Sequence, residues 1–230
     1  MKNIIIITIL LTSCTPKEVA EVNIVGELRA IMRENKTEAN INLLDLKEEE
    51  HLYALGALEG LAGEVLIMDS NPMISKVKGD SFAIVNNYDA KATLLVYTQV
   101  KDWDSFDINE DLMLGELEEF VNEKAMQAKL AEPIPFLVKG TASKLNWHIV
   151  NGSPGANATH EDHASSGFNR EWNDAEVEIL GFYSQTHHGV MTHHGENSHL
   201  HFLSRNGSAT GHVDEVLIKK GSFLFIPKSY

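Results

Sequence analysis

The stretch Ser198-His199-Leu200-His201-Phe202-Leu203-Ser204-Arg205-Asn206-Gly207-Ser208-Ala209-Thr210-Gly211-His212 constrains this chain more than any other. Apolar and β-branched residues flank Asn206-Gly207, a strong two-residue turn signal, so the stretch predicts a β-hairpin. Side chains alternate along a strand, which puts His199 and His201 on one face and Leu200 and Phe202 on the other. Counting back from the turn pairs Arg205 with Ser208, Leu203 with Thr210 and His201 with His212. Directly opposed residues hold their Cβ atoms roughly 4.5–5.5 Å apart. Three imidazoles then converge on one face, the donor set that a catalytic divalent metal with an open position uses.

Composition bears on this in two ways. Seven of the 11 histidines lie between His187 and His212, a density that would otherwise read as a surface cluster titrating near the ordinary histidine pKa. Strand parity and turn register select His199, His201 and His212 from that group. His187, His188, His193 and His194 show no periodicity and read as a loop flanking the site. The net charge of −14 lacks the basic footprint that nucleic-acid binding requires.

Cys14 is the single cysteine, so no disulfide forms within one chain. Lys2 precedes an apolar run over 4–11, too short to span a bilayer and suited to a secretion signal. Leu11-Thr12-Ser13-Cys14 has the form of a bacterial lipobox. The reading is a signal peptide over 1–13, lipidation at Cys14, an anchor, linker and N-terminal helix over 14–40, and one domain over 41–230. It implies a protein of the bacterial cell envelope whose contact with membrane is the N-terminal lipid alone.

Apolar spacing at Val22, Val25, Leu28 and Met32 predicts a helix, and Leu43 to Glu50 a second, short one. Strands are expected on either side of a Gly60–Gly63 turn, the second over 64–68, then over 74–77, 81–85 and 93–100. A helix capped within 107–111 and running to about 129 carries the stripe Leu114, Leu117, Val121 and Ala125. Strands follow over 136–138 and 145–150. The polar stretch 151–173 reads as a long loop, 176–183 as a strand, and 223–226 as the last strand. The fold class is α+β: two mixed or antiparallel sheet halves, a few flanking helices, and a metal site on the C-terminal hairpin.

His199-Leu200-His201-Phe202, with Gly211-His212-Val213 further on, resembles the metal signature of the α-acetolactate decarboxylase family. The glycine-punctuated run from Leu55 to Asp69, containing Gly63-Glu64, is similar to that family's N-terminal segment. Gly181-Phe182 also fits, and the likeness covers roughly 43–217. It implies Zn²⁺, or another divalent metal, held by His199, His201 and His212, with Glu64 brought near from the first half. Taken alone, Glu64 is equally a carboxylate at the start of a strand. Near a metal it could orient a water or pass a proton.

Three features depart from the family pattern. Trp147-His148 stands where the family has a Thr-Arg pair, and histidine cannot grip a carboxylate bidentately as arginine does; His148 is either a weaker substitute or a strand histidine on a satisfied face. No carboxylate follows Glu215, where family members return an acidic residue to the site. The 151–173 stretch replaces a Pro- and Arg-containing loop. The resemblance implies decarboxylation of a small hydroxy-keto acid such as 2-acetolactate to acetoin and CO₂, by catalytic residues Glu64 and His148. A zinc ester hydrolase on a similar three-histidine site and a non-enzymatic lipoprotein binding metal or a small acid are the alternatives, and homodimerisation is left open.

Overall fold

The computed structural model describes residues 21–152, 166–192 and 195–229. The first half of the chain forms β1 (Asn23–Val25), α1 (Leu28–Glu34), β2 (Ile41–Asn42), β3 (Leu52–Leu58), β4 (Glu64–Met68), β5 (Asn71–Lys78), β6 (Ser81–Val85) and β7 (Lys91–Gln99). The second half forms β8 (Trp103–Asp107), β9 (Leu112–Met113), α2 (Leu114–Ala128), β10 (Ile134–Ile149), β11 (Phe168–Tyr183), β12 (Ser198–Ser204), β13 (Thr210–Ile218) and β14 (Phe223–Pro227). The expected α+β class holds, with two antiparallel sheets and two α-helices among the described residues. The first sheet runs β1-β7-β3-β4-β5-β6, with β2 also on β7. The second runs β8-β14-β10-β11-β12-β13-β9, and an extra β10–β13 pairing makes β10 to β13 a closed ring of strands. Among the described residues no helix is long and apolar enough to cross a membrane.

Alternation along the strands sorts side chains into three layers. In β4, Val65 and Ile67 face an outer core with Leu43, Leu46 and Tyr88. Leu66 and Met68 face the second sheet, where they meet Leu137, Leu180 and Phe182. Beyond the second sheet, α2 lays Leu117, Val121 and Ala125 onto a core centred on Trp147, Phe136 and Phe202. Glu64 shares the parity of Leu66 and so points from the first sheet toward the second. Leu200 and Phe202 belong to the far core, so His199 and His201 point back toward the first sheet.

Several local expectations are corrected. Val22 and Val25 are not helical: residues 23–25 pair with β7, and α1 begins only at Leu28. Gly26 intervenes at φ +83, and a Cβ there would stand 2.1 Å from the Thr93 carbonyl oxygen, so the chain must turn before helix begins. The 43–50 helix is one 3₁₀ turn, Leu43–Leu46. Asp107, expected within the helix cap, is instead the last residue of β8. The second helix starts at Leu114, and the Glu116 carboxylate accepts the Met113 backbone N–H at 2.8 Å. Asp111 caps nothing and instead accepts the Lys220 N–H.

The strands expected at 136–138 and 145–150 are one 16-residue strand, β10. Pairing with β11, β13 and β14 carries it through Gly140 and Ser143, where local propensity alone suggests a break. The long loop is shorter than expected as well: Phe168 to Asn173 is strand, paired with Ile149 to Lys144. Residues 153–165 lie outside the described part of the chain.

Candidate metal centre

The hairpin register is as counted: His201 pairs with His212 and Leu203 with Thr210. Its turn is different. Ser204 and Ala209 close a four-residue loop, with the Gly207 N–H bonded to the Ser204 carbonyl at 2.8 Å and the Ser208 N–H to Asn206 Oδ1 at 3.1 Å. A four-residue loop in place of a two-residue one leaves the count across the strands unchanged, so the histidines still converge. Ring centroids lie 5.1 Å apart for His199–His201 and for His199–His212, and 5.4 Å apart for His201–His212. One nitrogen from each ring falls within 4.8 Å of the others.

These residues fit a metal. His201 is fully buried, and neither of its ring nitrogens has a hydrogen-bond partner. The backbone at Val65 slightly favours a protonated ring, without the geometry of a full bond. Burial, then the charges of His199 and His148, hold the His201 pKa well below the usual histidine value. A buried, neutral imidazole with unused nitrogens is costly unless something accepts its lone pair, and a divalent cation does.

Glu64 approaches from β4. It is only 4% exposed. Its Oε1 accepts the Val150 N–H at 3.0 Å, and its Oε2 lies 3.6 Å from His201 Nε2. Burial raises its pKa to about 7, against opposing effects from the His148 charge and the Val150 bond. With His201 held neutral, the 3.6 Å approach is a contact rather than an ion pair.

His148 enters by strand pairing: it stands opposite His212, with the rings 4.9 Å apart. Gly211 permits this closeness, since a Cβ there would lie 2.5 Å from the His148 carbonyl oxygen. His148 Nδ1 is 2.8 Å from Asp214 Oδ1. Desolvation disfavours the charged ring, but the Asp214 bond and the Glu64 carboxylate outweigh it and raise the His148 pKa.

The structure therefore brings together all five candidates: His199, His201, His212, Glu64 and His148. Glu64, His148, His199 and His212 line one cavity of about 70 Å³. His187 and His188 stay outside its lining. His187 sits in a separate hydrogen-bonded group with Ser184, Thr186 and Glu132. His193, His194 and Cys14 lie outside the described residues.

Sequence reasoning missed Asp214, Glu196 and the apolar face of α1. Asp214 is two residues beyond His212 and is the extra residue of a bulge between β13 and β10, an irregularity that no alternation in the sequence signals. Glu196 also lines the cavity, and burial, then Asp214 and Glu118, raise its pKa. Helix α1 closes over the site through backbone bonds from Leu28 and Arg29 to the carbonyls of Val190 and Gly189, and no local pattern signals that contact.

The family model for alpha-acetolactate decarboxylase matches residues 25–227. The chain belongs to the alpha-acetolactate decarboxylase family. It is 25% identical over 169 residues to an alpha-acetolactate decarboxylase of Methanosarcina mazei, a match covering 74% of this chain and 57% of that protein. The fold is also that of alpha-acetolactate decarboxylase from Bacillus subtilis strain 168, with a TM-score of 0.72 at 14% identity, covering 90% of this chain and 85% of the other. A Staphylococcus aureus protein of unknown function similar to alpha-acetolactate decarboxylase superposes comparably, with a TM-score of 0.71 at 19% identity and coverage of 91% and 85%. In this member of the alpha-acetolactate decarboxylase family, the position for which the resemblance implied arginine is His148, which lines the cavity and is bonded to Asp214 from outside its lining.

Proposed function

We propose that this protein is a carboxy-lyase that converts 2-acetolactate, or a close 2-hydroxy-3-oxo acid, to acetoin and CO₂, with zinc on His199, His201 and His212. The observation that carries this reading is the burial of Glu64 against a three-histidine cluster from the opposite sheet, in a chain of this family. The bond from C2 to the carboxylate breaks, and its electron pair moves through the C2–C3 bond to the ketone oxygen. A proton then reaches C2, giving acetoin. A bound divalent cation supplies Lewis-acid polarisation of the ketone and hydroxyl oxygens.

The chain's own groups do the remainder. Glu64, whose pKa burial pushes up to about 7 in the metal-free protein, is poised to carry a proton near neutral pH and is the donor to C2, the matching of pKa to task expected of a general acid. The Val150 N–H fixes its other oxygen. Against burial, the Asp214 bond and the Glu64 charge raise the His148 pKa; in the charged ring Nδ1–H goes to Asp214 and Nε2–H is the donor for the substrate carboxylate. The buried walls limit water around the reacting carbon.

Purified mature protein loaded with Zn²⁺ and mixed with 2-acetolactate is expected to form acetoin well above the spontaneous rate. A fully loaded sample that does no better than buffer overturns the decarboxylase reading. We also place the protein at the bacterial cell envelope, tethered through lipid on Cys14, on the strength of the lipobox-like sequence. Membrane fractionation tests this: Cys14→Ser should move the protein to the soluble fraction, and unchanged partitioning refutes it.

A further inference from the structure

The cavity has two chemically unlike halves. One is the imidazole and carboxylate floor. The other is hydrocarbon: Leu28, Ile31 and Met32 of α1, with Leu61, Leu94 and Val150 around them. Ile31, Leu61, Leu94 and Val150 form a buried cluster separate from the three main cores, and Leu28 packs against it. Positions 28, 31 and 32 share one face of a helix, so a helix of seven residues presents a continuous apolar wall. That wall is fixed at its start. Gly26 lies against the Thr93 carbonyl, and the Leu28 and Arg29 N–H groups bond to Val190 and Gly189 at 2.8 and 2.7 Å.

A wall of this kind offers nothing to a carboxylate, a hydroxyl or a ketone. It suits the remaining part of a 2-hydroxy acid, the alkyl group on C2. A single water needs roughly 10–15 Å³ of such space, so about 70 Å³ is largely filled by the polar head of a small acid. Room is left for a short alkyl group only. Ile31 is committed to its buried cluster at 5% exposure. Met32 lies outside that cluster and lines the cavity, and a thioether arm adapts readily to what it meets.

We propose that α1 is the specificity element of the site: its apolar face receives the C2 alkyl substituent of the substrate, and Met32 sets the longest substituent accepted. The proposal rests on the decarboxylase reading for the kind of acid that binds. Its test therefore uses acids that cannot react. Zn²⁺-loaded wild type, Met32→Ala and Met32→Trp, with metal content checked by elemental analysis, are titrated calorimetrically with glycolate and with 2-hydroxy-2-methylpropanoate, 2-hydroxy-2-methylbutanoate and 2-hydroxy-2-methylpentanoate.

Each methylene seated on the wall strengthens binding roughly fourfold, until the wall is reached. Wild type should then discriminate against the propyl acid by about tenfold, the scale of a methylene that does not fit. Met32→Ala should erase most of that discrimination. Met32→Trp should lose the ethyl and propyl acids while still binding glycolate. The same order of affinities in all three proteins overturns the role of α1 and leaves the decarboxylase reading standing. If zinc-loaded wild type binds none of the acids, glycolate included, the acid-binding site beneath the proposal fails with it.

Discussion

Replacing Glu64 by Gln should stabilise the metal-free protein, by an amount that grows as pH rises above about 4.5 and levels off above about 7. The glutamine keeps an oxygen for the Val150 N–H and nearly the same volume, but it cannot ionise. In wild type, burial raises the Glu64 pKa from 4.5 to about 7. A carboxyl group with a raised folded-state pKa binds more protons folded than unfolded between those two values. Stability is thus fully present below about pH 4.5 and is lost as pH rises through about 7. At about 1.4 kcal/mol per unit, the loss amounts to about 3 kcal/mol by pH 8.

His201 acts in the opposite direction, because its folded pKa is lowered; its contribution is lost as pH falls below the unfolded histidine value. Both proteins carry His201, so it cancels in their difference. Urea unfolding of chelator-treated wild type and Glu64→Gln should show nearly equal stability at about pH 4. The variant should gain up to about 3 kcal/mol at about pH 8. A difference that stays flat across this range would falsify the claim that Glu64 is held protonated by burial.

His201→Ala should remove stoichiometric zinc and all decarboxylation; retention of one metal per chain by elemental analysis would place the metal elsewhere. His148→Ala should keep its zinc but raise KM for 2-acetolactate about tenfold, the scale of one lost charge-assisted hydrogen bond, and an unchanged KM would remove His148 from carboxylate binding. Gly26→Ala should cost about 1–3 kcal/mol, because it needs a left-handed backbone and sets a Cβ against the Thr93 carbonyl. Urea unfolding with no loss of stability would show that the start of α1 is not pinned as described.

Much of the candidate metal centre was legible because it is local. The parity of His199 and His201 and the pairing of His201 with His212 depend on the two-residue period of a strand and a count across one turn. Even the unexpected four-residue loop preserved that count. Glu64 was readable only through resemblance, since nothing in the run Gly63-Glu64-Val65 says which sheet faces it. The errors fall where neighbours distant in sequence decide. The strand β10 runs through Gly140 because three other strands pair with it. Val22 and Val25 mimic the start of a helix by their three-residue spacing, but pairing of β1 with β7 holds residues 23–25 extended at the edge of the first sheet.

Alone, the sequence determined the hairpin, its histidine face, the α+β class and the family likeness. These follow from side-chain alternation and turn chemistry, which act over a few residues. Only the tertiary structure decided that Glu64 meets His201, that a bulge brings Asp214 to His148, and that α1 roofs the cavity with hydrocarbon. Those contacts join residues as far apart as Leu28 and Val190. They exist because two sheets bury their facing sides against each other, and no local pattern encodes which side chains then meet.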